Sequence, residues 1–116
     1  MSEAVIVSSQ EGIVTVTLNR PGKRNAIDGE IIDGLLAALA CIENDKSARV
    51  VILAGAGESF CAGLDMANMG DMLSGDLTAD SAAEAYDELS PAGANRVQRL
   101  GWGWQELSVP VIAAVQ

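Results

Sequence analysis

The sequence contains no histidine. Nucleophile systems of the Ser-His-Asp and Cys-His kinds are therefore excluded within these 116 residues, as are the ordinary zinc sites that use histidine ligands. We expect no metal site. Any catalytic chemistry that the chain supports must rest on carboxylates or on backbone groups.

Long hydrophobic runs are also missing. No stretch approaches the roughly 20 apolar residues that a membrane helix requires, and the N-terminal residues lack the basic and apolar regions of a signal peptide. The sequence therefore predicts a cytoplasmic protein with no membrane partner. The two cysteines, Cys41 and Cys61, have aliphatic neighbours, which favours buried thiols in a reducing compartment over a disulfide.

Positive charge is scarce as well. The net charge of -9 argues against nucleic acid and against anionic membrane surfaces, because both require clustered Lys and Arg. Arg20, Lys23 and Arg24 nevertheless lie close together, whereas residues 50–95 contain no basic side chain. An anionic small molecule would have to bind at this cluster, although the cluster taken alone favours a solvated turn.

The first third of the chain has the pattern of a β-hairpin followed by a helix. Residues 4–8 and 13–19 are rich in β-branched side chains, and apolar residues alternate with threonine in the second stretch. A turn at 10–12 joins them. From Asp28, a candidate N-cap, the sequence predicts a helix to about residue 44, and its apolar stripe consists of Ile32, Leu35, Leu36, Leu39 and Ile42.

Residues 50–54 form a continuous apolar run closed by glycines, which predicts a fully buried parallel strand and hence a βαβ crossover. A short helical pattern begins at residue 64 with a methionine stripe, and residues 74–93 form an acidic excursion without strong periodicity. We expect a helix over residues 95–107 and a buried strand over 110–115. A chain that stops after such a strand is expected to be the N-terminal part of a single domain.

Gly55 and Gly57 follow the predicted strand, as glycines do in dinucleotide-binding turns. The third glycine of that motif is missing, because Phe60 stands in its place. There is also no Gly-Lys-Ser/Thr signature of nucleotide triphosphate binding. We therefore expect neither kind of nucleotide site.

Two segments carry a family resemblance. Leu-Asn-Arg-Pro-Gly-Lys-Arg-Asn-Ala-Ile at 18–27 and Ser-Phe-Cys-Ala-Gly-Leu-Asp-Met at 59–66 resemble signatures of the crotonase superfamily, the enoyl-CoA hydratases and isomerases. The resemblance covers almost the whole chain apart from residues 74–93. It implies the N-terminal portion of an α/β, crotonase-like fold, in which ββα units repeat in a spiral. It also implies an acyl-CoA thioester substrate and a homotrimer or a dimer of trimers.

The resemblance assigns the backbone N–H of Leu64 to the oxyanion hole and the carbonyl of Ala62 to the adenine amino group. This agrees with the chemistry, because fixed N–H donors stabilise the negative charge that develops on a thioester oxygen. Gly63, directly before an apparent helix start, can turn the next N–H outward. Asp65 is expected to support the loop, and Met66 to line the acyl pocket unless it packs in the core.

In the family the residue just before the Asn-Ala pair approaches the nucleotide part of coenzyme A, which implies that Arg24 contacts a phosphate. Lys23 and Arg20 are weaker candidates. We expect Asn25 to cap the turn through its side-chain amide and not to contact the ligand.

The resemblance implies an enoyl-CoA hydratase that stabilises an enolate, with a double-bond isomerase as the alternative. No cofactor is expected, since coenzyme A enters as part of the substrate. The second oxyanion donor and the acid-base residues are expected beyond Gln116. A non-catalytic CoA-binding subunit and an unrelated small α/β interaction domain stay open as further alternatives.

Overall fold

The computed structural model describes residues 4–63 and 99–116, without the side chain of Arg99. A hairpin begins the chain, with β1 over Val5–Gln10 and β2 over Ile13–Leu18 in antiparallel register. Positive φ angles at Glu11 and Gly12 form the tight turn that the sequence predicts between them.

A β2-α1-β3 crossover follows the hairpin. Helix α1 occupies Gly29–Glu43, β3 occupies Val50–Gly55, and β3 pairs with β2 in parallel. The helix begins where the sequence predicts, since the Asp28 carboxylate accepts a hydrogen bond from the Ile31 N–H at 2.9 Å. The predicted βαβ unit is confirmed.

A second helix and a further strand follow, and the strand extends the same sheet. Helix α2 spans Arg99–Glu106, and β4 spans Val111–Ala113 and pairs in parallel with β3. Within the described residues the strand order is β1-β2-β3-β4, a mixed sheet with one antiparallel and two parallel pairings. The predicted helix at 64, its methionine stripe, the 74–93 excursion and the start of the 95–107 helix lie outside the described residues.

The hydrophobic core lies between one face of the sheet and α1. Val14, Val16 and Leu18 alternate inward along β2, as the period-two pattern predicts. One stripe of α1 packs on them. The buried residues of this stripe are Ile31, Leu35, Ala38, Leu39 and Ile42.

Three burial predictions are wrong. In β3 only Val51 is buried, and the rest of the strand is half-buried. In β4 no residue is buried, and Ile112 is 56% exposed, because among the described residues β4 is an edge strand whose second face is uncovered. Cys41 is exposed, since it lies off the apolar stripe of α1, and Cys61 is only half-buried.

Candidate functional site

The basic cluster forms a sharp turn after β2. Pro21–Lys23 is a single turn of 3-10 helix with proline at its start, and the Arg24 N–H closes it on the Pro21 carbonyl at 3.1 Å. Arg24 and Asn25 both have left-handed backbone conformations, with φ of 52° and 58°. Asparagine tolerates this conformation well, but arginine does not favour it, so the surrounding contacts must hold the turn in place.

Asn25 provides those contacts. Its side chain has no exposed surface, and its Oδ1 accepts a hydrogen bond from the Arg20 N–H at 2.8 Å. Its Nδ2 donates to the carbonyls of Ala56 at 2.9 Å and Ser59 at 2.7 Å, more than thirty positions along the chain. The predicted capping role is confirmed, and sequence reasoning missed the second half of it, the connection to the loop after β3.

That loop approaches the turn through two backbone hydrogen bonds. The Ala62 N–H donates to the Arg24 carbonyl at 3.0 Å, and the Ile27 N–H donates to the Gly63 carbonyl at 2.7 Å. The two segments that carry the sequence motifs are therefore joined into one unit.

Gly63 needs to be glycine because of its backbone and not because of crowding. Its φ is 93°, which side-chain-bearing residues rarely adopt, although a Cβ placed there would meet no atom within 4 Å. Its N–H donates to the Cys61 sulfur at 3.4 Å. The predicted outward turn of the next N–H belongs to Leu64, which lies outside the described residues.

The glycines after β3 have a packing role. A Cβ on Gly55 would lie 2.5 Å from the Phe60 carbonyl oxygen, and one on Gly57 would lie 2.9 Å from Pro21 Cβ. Gly55 is therefore required because the loop folds back against the end of its own strand, and Gly57 because the loop approaches the turn with a φ of 81°. These constraints explain the Gly-x-Gly pattern without a nucleotide. The Gln116 side chain also donates to the Gly57 carbonyl, so the chain after β4 reaches the same loop.

The three clustered basic residues have different surroundings. Arg20 is held by the fold, since its guanidinium donates to the Ala26 carbonyl at 2.7 Å and pairs with Asp28 at 3.2 Å. Lys23 and Arg24 are exposed, and neither side chain bonds to another residue in the described parts of the chain. The site's available positive charge therefore comes from Lys23 and Arg24.

Four of the predicted site residues come together here. Arg24 and Lys23 lie on the turn, and Ala62 and Gly63 lie on the loop that is bonded to it. Leu64, Asp65 and Met66 lie outside the described residues. A concavity of about 510 Å³ between α2 and β3–β4 contains none of the predicted residues and is lined by Leu53, Trp104, Leu107, Val111 and Ala113 among others.

Comparison with known proteins identifies the family. The profile of the enoyl-CoA hydratase/isomerase family matches residues 8–116. The chain belongs to this family. An enoyl-CoA hydratase of Mycobacterium tuberculosis is 33% identical over 111 residues, which are 96% of this chain and 38% of that protein. A 1,2-epoxyphenylacetyl-CoA isomerase of Escherichia coli is 38% identical over 66 residues, which are 57% of this chain and 25% of that protein.

Solved structures of the family share the fold. An enoyl-CoA hydratase of Mycobacterium smegmatis superposes with a TM-score of 0.77 at 30% identity, over 98% of this chain and 40% of that one. The crotonase-like α/β class predicted from sequence is confirmed as a partial fold, and the interpretation as an unrelated interaction domain is wrong. The chain spans less than half the length of these hydratase and isomerase family members.

None of the described helices has both the length and the apolar character to span a membrane. Within the same parts of the chain, no three Cys, Asp or Glu side chains gather closely enough to hold a metal ion.

Proposed function

We propose that the protein is an acyl-CoA thioester enzyme that stabilises an enolate, and specifically a hydratase adding water to a 2-enoyl-CoA. The observation that carries this proposal is a hydrogen bond between the basic turn and the loop after β3. The Ala62 N–H of the loop donates to the Arg24 carbonyl of the turn at 3.0 Å. It supports the proposal because an exposed arginine, which could bind a phosphate, then lies close to the left-handed Gly63, which could orient the next N–H as an oxyanion donor.

In this proposal the joined turn and loop bind the two ends of the substrate with different groups. Arg24, assisted by Lys23, binds a phosphate of coenzyme A, and the Ala62 carbonyl accepts from the adenine amino group. The N–H of Leu64, after the left-handed Gly63, donates to the thioester oxygen as it becomes negative. Asp65 supports this loop and Met66 lines the acyl pocket.

The Gly63 carbonyl supports the proposed direction of that donor. It accepts the Ile27 N–H and is therefore held toward the turn. Because the carbonyl and the N–H of a trans peptide point in opposite directions, we propose that the following donor faces away from the turn and toward the substrate.

The residues that move protons are proposed to lie beyond Gln116. Two acidic residues there would suit hydration, in which one carboxylate activates water and the other supplies a proton to the α carbon, whereas one would suit isomerisation. We further propose that residues 1–116 are part of a single acyl-CoA-binding domain, in a cytoplasmic homotrimer or dimer of trimers, with no cofactor besides the coenzyme A of the substrate.

The test uses a pair of variants at Leu64 in the full-length protein. Leu64→Pro removes the backbone donor, and proline is tolerated in a first helical turn. We expect kcat on a 2-enoyl-CoA to fall by about 10² to 10³, the usual effect of losing one oxyanion donor, with a much smaller change in substrate binding. Leu64→Ala keeps the donor and should retain most of kcat.

Circular dichroism and thermal melting must show both variants folded, since proline also restricts the residue before it. A folded Leu64→Pro protein with wild-type kcat would contradict the oxyanion assignment. Turnover of a 3-enoyl-CoA without hydration of the 2-enoyl isomer would select the isomerase. Binding of both thioesters without turnover would select the non-catalytic CoA-binding subunit.

A further inference from the structure

We infer that Asn25 is a positioning residue that couples binding of the nucleotide end of coenzyme A to the placement of the oxyanion loop. The inference rests on the proposed function and extends it to a residue that contacts neither reacting atoms nor phosphate. Its basis is the set of three hydrogen bonds that the buried side chain makes to two separate segments.

The Asn25 amide is fully satisfied in its buried position. The Oδ1 atom accepts from the Arg20 N–H, and the two Nδ2 hydrogens donate to the Ala56 and Ser59 carbonyls. An asparagine amide has two donors on one side and an acceptor on the other, which matches two carbonyls and one N–H. An aspartate at this position would direct a carboxylate oxygen at two carbonyls, so the site selects the amide.

These bonds connect the basic turn, which is proposed to bind a phosphate, to the loop after β3 that carries Gly63. Asn25 directly follows Arg24, and Ser59 is four residues before Gly63 on the other segment. The backbone bonds from Ala62 to Arg24 and from Ile27 to Gly63 lie beside the amide. Because Asn25 bonds the turn to the loop, a shift of Arg24 toward a phosphate moves both segments together and not the turn alone.

The functional consequence is that binding energy from the remote end of the substrate contributes to kcat. Interactions far from the reacting carbons can hold the thioester oxygen against its donor in the transition state. A substrate that lacks the nucleotide cannot use this route. The effect of Asn25 on turnover should therefore depend on whether the nucleotide is present.

The experiment compares a 2-butenoyl thioester of coenzyme A with the same thioester of pantetheine, which lacks the nucleotide. Asn25→Gly removes the amide without strain, because glycine accepts a φ of 58°. It should lower kcat for the CoA thioester by about tenfold or more and kcat for the pantetheine thioester by less than about threefold. Asn25→Asp keeps the Oδ1 acceptor but loses both donors, and should give the same pattern.

The matched control is Asn44→Ala, because Asn44 is an exposed asparagine whose Nδ2 donates to the Ala40 carbonyl, away from the site. It should leave both kcat values unchanged. Equal losses on the two substrates, or unchanged kcat for the CoA thioester, would overturn the inference. Failure of both Asn25 variants to fold would also overturn it, since Asn25 would then serve stability alone.

A readout independent of turnover separates this inference from the proposed function. Asn25→Gly should speed amide hydrogen exchange at Ala62 and Ile27 by about tenfold or more, because the bonds beside the amide open more often. Unchanged exchange at both amides would overturn the coupling. A wild-type protein that turns over neither thioester refutes the proposed enzyme, and the exchange rates still decide whether Asn25 joins the two segments.

Discussion

Arg20 and Arg24 are the same residue type four positions apart, and the fold gives them different surroundings. The Arg20 guanidinium is engaged with Asp28 and the Ala26 carbonyl, whereas Arg24 is exposed on the outside of the turn. From sequence, only the family resemblance made Arg24 a better candidate than Arg20 for contact with a coenzyme A phosphate. Hydrogen bonding separates them, because a guanidinium held by protein groups has fewer donors left for a phosphate.

We therefore expect Arg24→Ala to weaken CoA-thioester binding by roughly 1.5 to 3 kcal/mol, the range for a direct, charge-assisted hydrogen bond. Both residues have a Cβ, so the strain of the left-handed backbone is the same in each protein. Isothermal titration of the full-length protein at low salt measures the effect. Lys46→Ala, which removes an exposed charge between α1 and β3, is the control, and an unchanged dissociation constant for Arg24→Ala would exclude that side chain from the site.

A second residue-level prediction concerns Gly63. An added methyl group has room there, but the φ of 93° is unfavourable for alanine. Gly63→Ala should lower kcat on a 2-enoyl-CoA by about tenfold or more, because strain at residue 63 would shift the loop on which the proposed oxyanion donor depends. Gly22→Ala, also in open space but without a positive φ, should keep wild-type kcat. Equal activity of the two variants would show that the Gly63 conformation is not required.

At the scale of elements, α1 and β2 were predictable because their side chains follow a regular period. The Asp28 cap gave the start of the helix, and Leu35, Leu39 and Ile42 lie on its buried face as predicted. Ile32 and Leu36 were also predicted there but are only half-buried, because the face that packs on the sheet is centred on Ile31, Leu35 and Leu39. Burial of β3 and β4 was overestimated, because an apolar run indicates that a strand can be covered and not which segment covers it. Cys41 shows the same limit, since aliphatic sequence neighbours do not place a residue on the packed face.

Gly34 is an element-level feature that the sequence did not reveal. A Cβ at this position of α1 would lie 2.6 Å from Val5 Cγ2, so the helix can approach β1 only with glycine there. Gly34→Ala should destabilise the protein by about 1 to 3 kcal/mol through overpacking, and its better helix propensity recovers only part of this loss. Urea denaturation of the full-length protein measures the difference.

The matched variant is Gly29→Ala, at the first residue of the same helix, where a Cβ meets nothing within 4 Å. It should be neutral or slightly stabilising. If the two variants had the same stability, the close approach of α1 to Val5 would not be a constraint.

For the whole molecule, the main feature is apolar surface that the described residues leave uncovered. Ile112, Val115 and Trp102 are exposed, and the concavity beside β4 is lined largely by aliphatic side chains. Single exposed apolar residues are ordinary, but a groove and an edge strand together indicate a surface that another segment or subunit covers.

We therefore expect the 116-residue chain, expressed alone, to bind a hydrophobic fluorescent dye strongly and to show no hydration or isomerisation of enoyl-CoA. The full-length protein should bind less dye per molecule and turn over the substrate. Dye binding and a spectrophotometric assay on matched concentrations check this prediction. Measurable turnover by the short chain would show that its own residues suffice.

At this scale the sequence motifs predicted the family and the fold class, since the two signatures and the helix and strand between them all agree with the family pattern. The motifs could not reveal that Asn25 joins the signatures, because its bonds to Ala56 and Ser59 depend on how the β3 loop returns to the turn. Contacts between distant segments are a property of the assembled fold.

Helix α2 also provides an optical signal. Both tryptophans of the chain lie on it, with Trp104 only 8% exposed and Trp102 49% exposed. The Trp104 indole donates to the Leu100 carbonyl and lines the groove, so Trp102→Phe would leave a single emitter whose spectrum is shifted to the blue. Its wavelength and quenching by acrylamide would then report, in real time, whether α2 stays packed against the rest of the protein.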